Sequence, residues 1–68
     1  MSIAKVTEIK SSSKISFDDA LKTGLARASK TIQNIRSAWI SSQEVLVNED
    51  GEISEYRILM KVTFVLNN

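Results

Sequence analysis

The sequence predicts an α+β fold: a β-α-β-β subunit whose three-stranded antiparallel sheet wraps around one helix. Three observations carry this. Tyr56, Ile58, Met60, Val62, Phe64 and Leu66 recur at every second position, the period of a half-buried strand. Phe17, Leu21, Leu25, Ala28, Ile32 and Ile35 recur in steps of three and four, tracing one stripe of an α-helix. Asp50-Gly51, set between apolar runs, supplies the positive φ that a tight hairpin needs.

The first element is a strand from Ile3 to Lys10, rich in β-formers, with Ala4 and Val6 on one face and Ile3, Lys5, Thr7 and Ile9 on the other. Ser11-Ser12-Ser13-Lys14 reads as a polar connector. Ser16 is a good N-cap, because its hydroxyl can accept from a free amide of the first helical turn. Asp18 and Asp19 place negative charge at the positive end of the helix dipole, which is a better account of the pair than catalysis. Ile15 and Ala20 occupy the two hydrophobic-staple positions. The apolar stripe predicts a helix from Phe17 to about 34–36. Gly24 interrupts it at a cost of about 1 kcal/mol relative to Ala, which points to close contact between helix and sheet, with a direct role at a ligand as the second reading.

Ser37 to Val47 reads as a second strand, with Ser37, Trp39 and Ser41 on one face and Ala38, Ile40 and Ser42 on the other. If Ala38 and Ile40 face the helix, Trp39 points away from the core. There it would anchor a neighbouring copy or stack on a planar ligand. After the turn Asn48-Glu49-Asp50-Gly51, the even residues of the last strand must cover the helix. Its odd face mixes Leu59 and Val65 with Arg57, Lys61 and Thr63 and suits a subunit interface better than open water.

A chain of 68 residues forms one domain (1–68) and buries only about 60% of the surface it exposes when unfolded. Folds of this size need a staple. With no Cys and no His, disulfides and the usual zinc sites are excluded, leaving oligomerisation or a metal held by oxygen. The same absence removes imidazole bases and thiolate nucleophiles, and no base stands near the serines, so no enzyme is expected. The net charge is +1, with both signs interspersed and no basic cluster dense enough to track a phosphate backbone. No apolar run approaches a membrane span, and the N-terminus lacks a signal-peptide layout. The expected partners are therefore copies of itself, with neither nucleic acid nor membrane, and the expected location is cytoplasmic. Asn48-Glu49-Asp50-Gly51-Glu52 lacks the ligand spacing and terminal Glu of a calcium loop and reads as a solvated turn. Calcium bound between subunits, each lending an oxygen, stays open.

The order and spacing of Val6-Thr7-Glu8-Ile9, Gly24-Leu25-Ala26-Arg27-Ala28-Ser29-Lys30-Thr31 and Tyr56-Arg57-Ile58-Leu59-Met60-Lys61-Val62-Thr63-Phe64 resemble a dodecin subunit. That family consists of small flavin-binding proteins assembled as hollow shells of twelve, which implies a homododecamer. In the family, flavins lie in pairs between tryptophans that open the second strand, and a glutamine of the third strand bonds the ring edge. Here the stacking position holds Ser37 and the glutamine position Arg57. Trp39 lies on the same face, about 7 Å further along. The sequence resembles more closely those members without the flavin tryptophan that are described as calcium-binding. The resemblance thus implies a non-catalytic shell with weak or absent flavin binding and ions at its symmetry axes. The alternative is a storage subunit that holds a flavin or another planar anion in a pocket displaced from Ser37 to Trp39 and Arg57.

Overall fold

The computed structural model describes residues 3–66, which form β1 (Ile3–Ser13), α1 (Phe17–Ala28), β2 (Ile35–Val47) and β3 (Ile53–Leu66). The strands make one antiparallel sheet in the order β1-β3-β2. The strand with the clearest alternation is thus the central one. Its even residues face α1: Ile58, Met60 and Val62 are fully buried with Ala20, and Phe17, Leu21, Leu25, Ile9, Ile35 and Ala38 pack around them.

Three element boundaries differ from expectation: the ends of β1 and α1, and the start of β2, which is Ile35 rather than Ser37. β1 runs on through Ser11, Ser12 and Ser13, which pair with Ile58, Arg57 and Tyr56. Ser11 and Ser13 face the helix and their hydroxyls serve it, while Ser12 lies opposite Arg57 on the other face. Ser11 Oγ donates to the Ala20 carbonyl (2.7 Å) and Ser13 Oγ donates to Asp19 Oδ2 (2.6 Å). Ser13 Oγ also accepts from the Ile15 amide at 2.9 Å.

The helix, in turn, ends at Ala28 rather than at 34–36. Ser29 and Thr31 turn their hydroxyls onto the Leu25 and Ala28 carbonyls, and the Lys30 amide bonds three residues back to Arg27. Asn34 then takes a left-handed φ of 62° and reverses the chain, so Ile35 opens β2 on the core side.

Ser16 caps α1 as expected, accepting from the Asp19 amide at 2.9 Å. The staple does not form: Ala20 is buried, but Ile15 is 74% exposed. The Ser13 bonds already fix the entry to the helix. Gly24 is where α1 meets β1. A Cβ there would sit 2.8 Å from Ser11 Cβ and Oγ and 3.0 Å from Met60 Cε.

The β2–β3 hairpin closes on Asn48, whose Oδ1 accepts from the amides of Asp50 (3.1 Å) and Glu52 (3.0 Å), while Gly51 adopts φ 83°. The hairpin carries bulges. Ser41 and Ser54, the extra residues at two of them, bond across to the carbonyls of Leu59 and Leu46. The bulge at Ser41 moves Ser42 to the face of Trp39, opposite Leu59, and away from Ala38 and Ile40.

Candidate functional site

With α1 on one side of the sheet, the other face is open. Reading across it, Glu8, Lys61 and Trp39 form one row on β1, β3 and β2. Ser37 lies beside Trp39, opposite Thr63, and Arg57 lies between Ser12 and Glu44. Trp39 thus points away from the core, as its strand position predicts, and is 68% exposed. An indole left that open forgoes most of the burial that usually justifies a tryptophan.

The Lys61 ammonium lies over the ring, with Nζ 5.5 Å from its centroid. At an exposed site such a pair contributes about 0.5–1 kcal/mol. It also places a cation beside a free aromatic face. Alternation alone put Lys61 on this face. Its pairing with Trp39 also follows by counting back from the Asn48–Glu52 turn, because the bulges at Ser54 and Ser41 add one residue to each strand and cancel.

Arg57 is four residues from Lys61 on the same strand, about 13 Å away. One subunit therefore brings Ser37 and Trp39 side by side and leaves Arg57 apart from both. The Arg57 guanidinium meets Glu55, with Nη2 to Oε2 at 3.4 Å. It lines a shallow groove of about 240 Å³ with Lys10, Ser42, Glu44 and Leu59. Lys10 and Glu44 approach to 3.9 Å across that groove. With Glu44 and Glu55 beside it, Arg57 offers an anion little uncompensated charge. Both ion pairs are part-exposed and contribute about 0–1 kcal/mol.

A second groove of about 390 Å³ lies between α1 and β1, lined by Ile9, Gly24, Arg27, Ala28 and Ile32 among others. Neither groove gathers the groups of a catalytic centre. Among the described residues no three acidic, His or Cys side chains come together as a metal site. No helix of the described residues is long and apolar enough to cross a membrane.

The Dodecin family profile matches residues 3–67. The chain is 34% identical over 64 residues to the calcium dodecin of Mycobacterium tuberculosis, covering 94% of this chain and 89% of that protein. In structure it is similar to the dodecin from Streptomyces davaonensis, with a TM-score of 0.93, 30% identity, and 98% and 97% of the two chains covered. It is also similar to the crystal structure of the Mycobacterium tuberculosis calcium dodecin, a calcium-chelating antigen described with a novel calcium-binding site. There the TM-score is 0.82 at 31% identity, over 96% of this chain and 91% of that one. The β-α-β-β order, the helix laid on the even face of β3 and these matches agree: the chain belongs to the dodecin family.

Proposed function

We infer that this chain is a non-catalytic subunit that assembles with copies of itself into a hollow shell, twelve by the family's number, in which ordinary flavin binding is weak or absent. The shape of the isolated subunit carries the reading. It measures 53 × 20 × 13 Å with a radius of gyration of 14.1 Å, against about 11 Å for a compact domain of this length. Among the described residues the buried apolar side chains are Ala20, Ala28, Ile58, Met60 and Val62, while Trp39, Ile3, Val6, Val47 and Ile53 stand in solvent. A sheet this long, with one face bare, gains its missing burial from neighbours.

The flavin part rests on Ser37. A hydroxyl at the stacking position has no aromatic face, so it forgoes about 0.5–1.5 kcal/mol of ring contact beyond burial. The residues present do not fit an ordinary flavin site. Calcium held where several copies meet is supported by the similarity to a calcium dodecin, and its oxygens would come from more than one chain.

One observation favours the second reading, a displaced pocket for a planar anion. Trp39 is exposed with the Lys61 ammonium beside it, and Arg57 would join only from another copy. Titrating the purified protein with riboflavin while following flavin fluorescence separates the two. The proposed function predicts no quenching at submicromolar flavin, together with closed hollow particles in electron micrographs. Stoichiometric quenching that is lost in Trp39→Ala establishes the displaced pocket instead.

A further inference from the structure

The charges are interspersed over the whole chain, but the hairpin tip and the end of α1 carry opposite signs. From Ala20 to Gln43 the ionisable residues are Lys22, Arg27, Lys30 and Arg36, with no carboxylate. From Glu44 to Tyr56 the charged residues are Glu44, Glu49, Asp50, Glu52 and Glu55, with no cation. The fold carries Arg27, Lys30 and Arg36 away from the hairpin tip, while Lys10 and Arg57 pair with Glu44 and Glu55 at the base of the hairpin. The hairpin tip projects past β1, which ends opposite Tyr56, whereas the end of α1 and the start of β2 lie toward Phe64.

The tip is both acidic and apolar. Glu49, Asp50 and Glu52 are exposed, and at its base Val47 is 58% and Ile53 49% exposed. The paired amides on Asn48 Oδ1 hold it in one shape, so docking would order little further. The groove between α1 and β1 has the complementary character. Ile9, Gly24, Ala28 and Ile32 give it an apolar floor, and Arg27, which forms no ion pair among the described residues, stands at its rim. Lys30 follows one turn on, where the negative end of the helix dipole lies. The tip of the same chain cannot fill it. Ile53 lies about 23 Å along β3 from Met60, the partner of Ile9, and the acids lie further still.

We propose that the β2–β3 hairpin tip is a docking arm: Val47 and Ile53 enter the α1–β1 groove of a second copy, with Glu49, Asp50 and Glu52 against Arg27 and Lys30. The proposal rests on the self-assembly inferred above and names its contact. The contact joins different surfaces of the two copies, so it propagates head to tail and closes into a ring when the rotation permits. Exposed charges are screened beyond about 8 Å at physiological ionic strength, so this contact weakens with salt.

The chain has no cysteine, which permits a direct test. A disulfide requires Cα atoms within about 7 Å, so Arg27→Cys and Asp50→Cys on one chain cannot bond to each other. Oxidation of that double variant should give covalent dimers and higher multimers on a non-reducing gel. The pair Lys61→Cys and Asp50→Cys, with the first on the bare sheet face, should not. Equal cross-linking by both pairs overturns the proposal. In parallel, Glu49→Lys, Asp50→Lys and Glu52→Lys together should abolish assembly at low micromolar concentration in 50 mM salt while the circular dichroism spectrum stays unchanged. Addition of the Arg27→Glu, Lys30→Glu variant should restore mixed assemblies. If the wild-type protein assembles and the tip variant assembles equally well, the docking contact alone falls. If the wild-type protein is itself a monomer, the shell falls with it.

Discussion

Gly24 shows how one side chain, or its absence, sets the distance between helix and sheet. The Ser11 hydroxyl reaches the Ala20 carbonyl only because no Cβ stands at position 24. Gly24→Ala should raise helix propensity by about 1 kcal/mol and still destabilise the protein, by about 1–3 kcal/mol from overpacking. The colliding atom, Ser11 Cβ, is one bond from the strand backbone and cannot rotate aside. Thermal unfolding measures the net sign, and a stabilised variant would show that β1 yields easily. Met60, fully buried beneath the helix, should cost about 2–5 kcal/mol when cut to Ala. Leu25→Ala should fall at the low end of that range or below it, because Leu25 is only partly buried.

At the scale of elements, most of the fold is legible in the sequence because its signals are local and strong. The period-two run of β3, the helical stripe from Phe17, the Ser16 cap and the Asp50-Gly51 turn each follow from neighbouring residues. What local reading misses depends on partners far along the chain. Ser11 to Ser13 look like a linker, yet they extend β1, and the hydroxyls of Ser11 and Ser13 donate to the Ala20 carbonyl and the Asp19 carboxylate. The apolar stripe continues past Ala28, but Ser29, Thr31 and Asn34 end the helix, and Ile35 buries from a strand instead. On the open face, the outward direction of Trp39 is readable from alternation, whereas the separation of Arg57 from it needs the hairpin register. Ser13→Ala should therefore loosen the β1–α1 junction by about 1–3 kcal/mol, since it leaves Asp19 and the Ile15 amide without a buried partner. Hydrogen exchange should then quicken first at the start of α1. Uniform acceleration would place the weakness elsewhere.

For the whole molecule, the small core and the bare sheet face point the same way: in the proposed shell the subunit draws much of its stability from contacts with copies of itself. Stability and concentration should therefore be linked, with the unfolding midpoint rising as protein concentration rises. If calcium joins several copies, a chelator should lower that midpoint and added calcium restore it. An unchanged midpoint would leave the shell and remove the ion. The central claim is the closed assembly itself, and sedimentation equilibrium over a dilution series to low micromolar concentration tests it most directly. A closed shell of twelve should give one species of about 91 kDa, twelve times 7.6 kDa, unchanged across the series. A single species of 7.6 kDa at every concentration would contradict it.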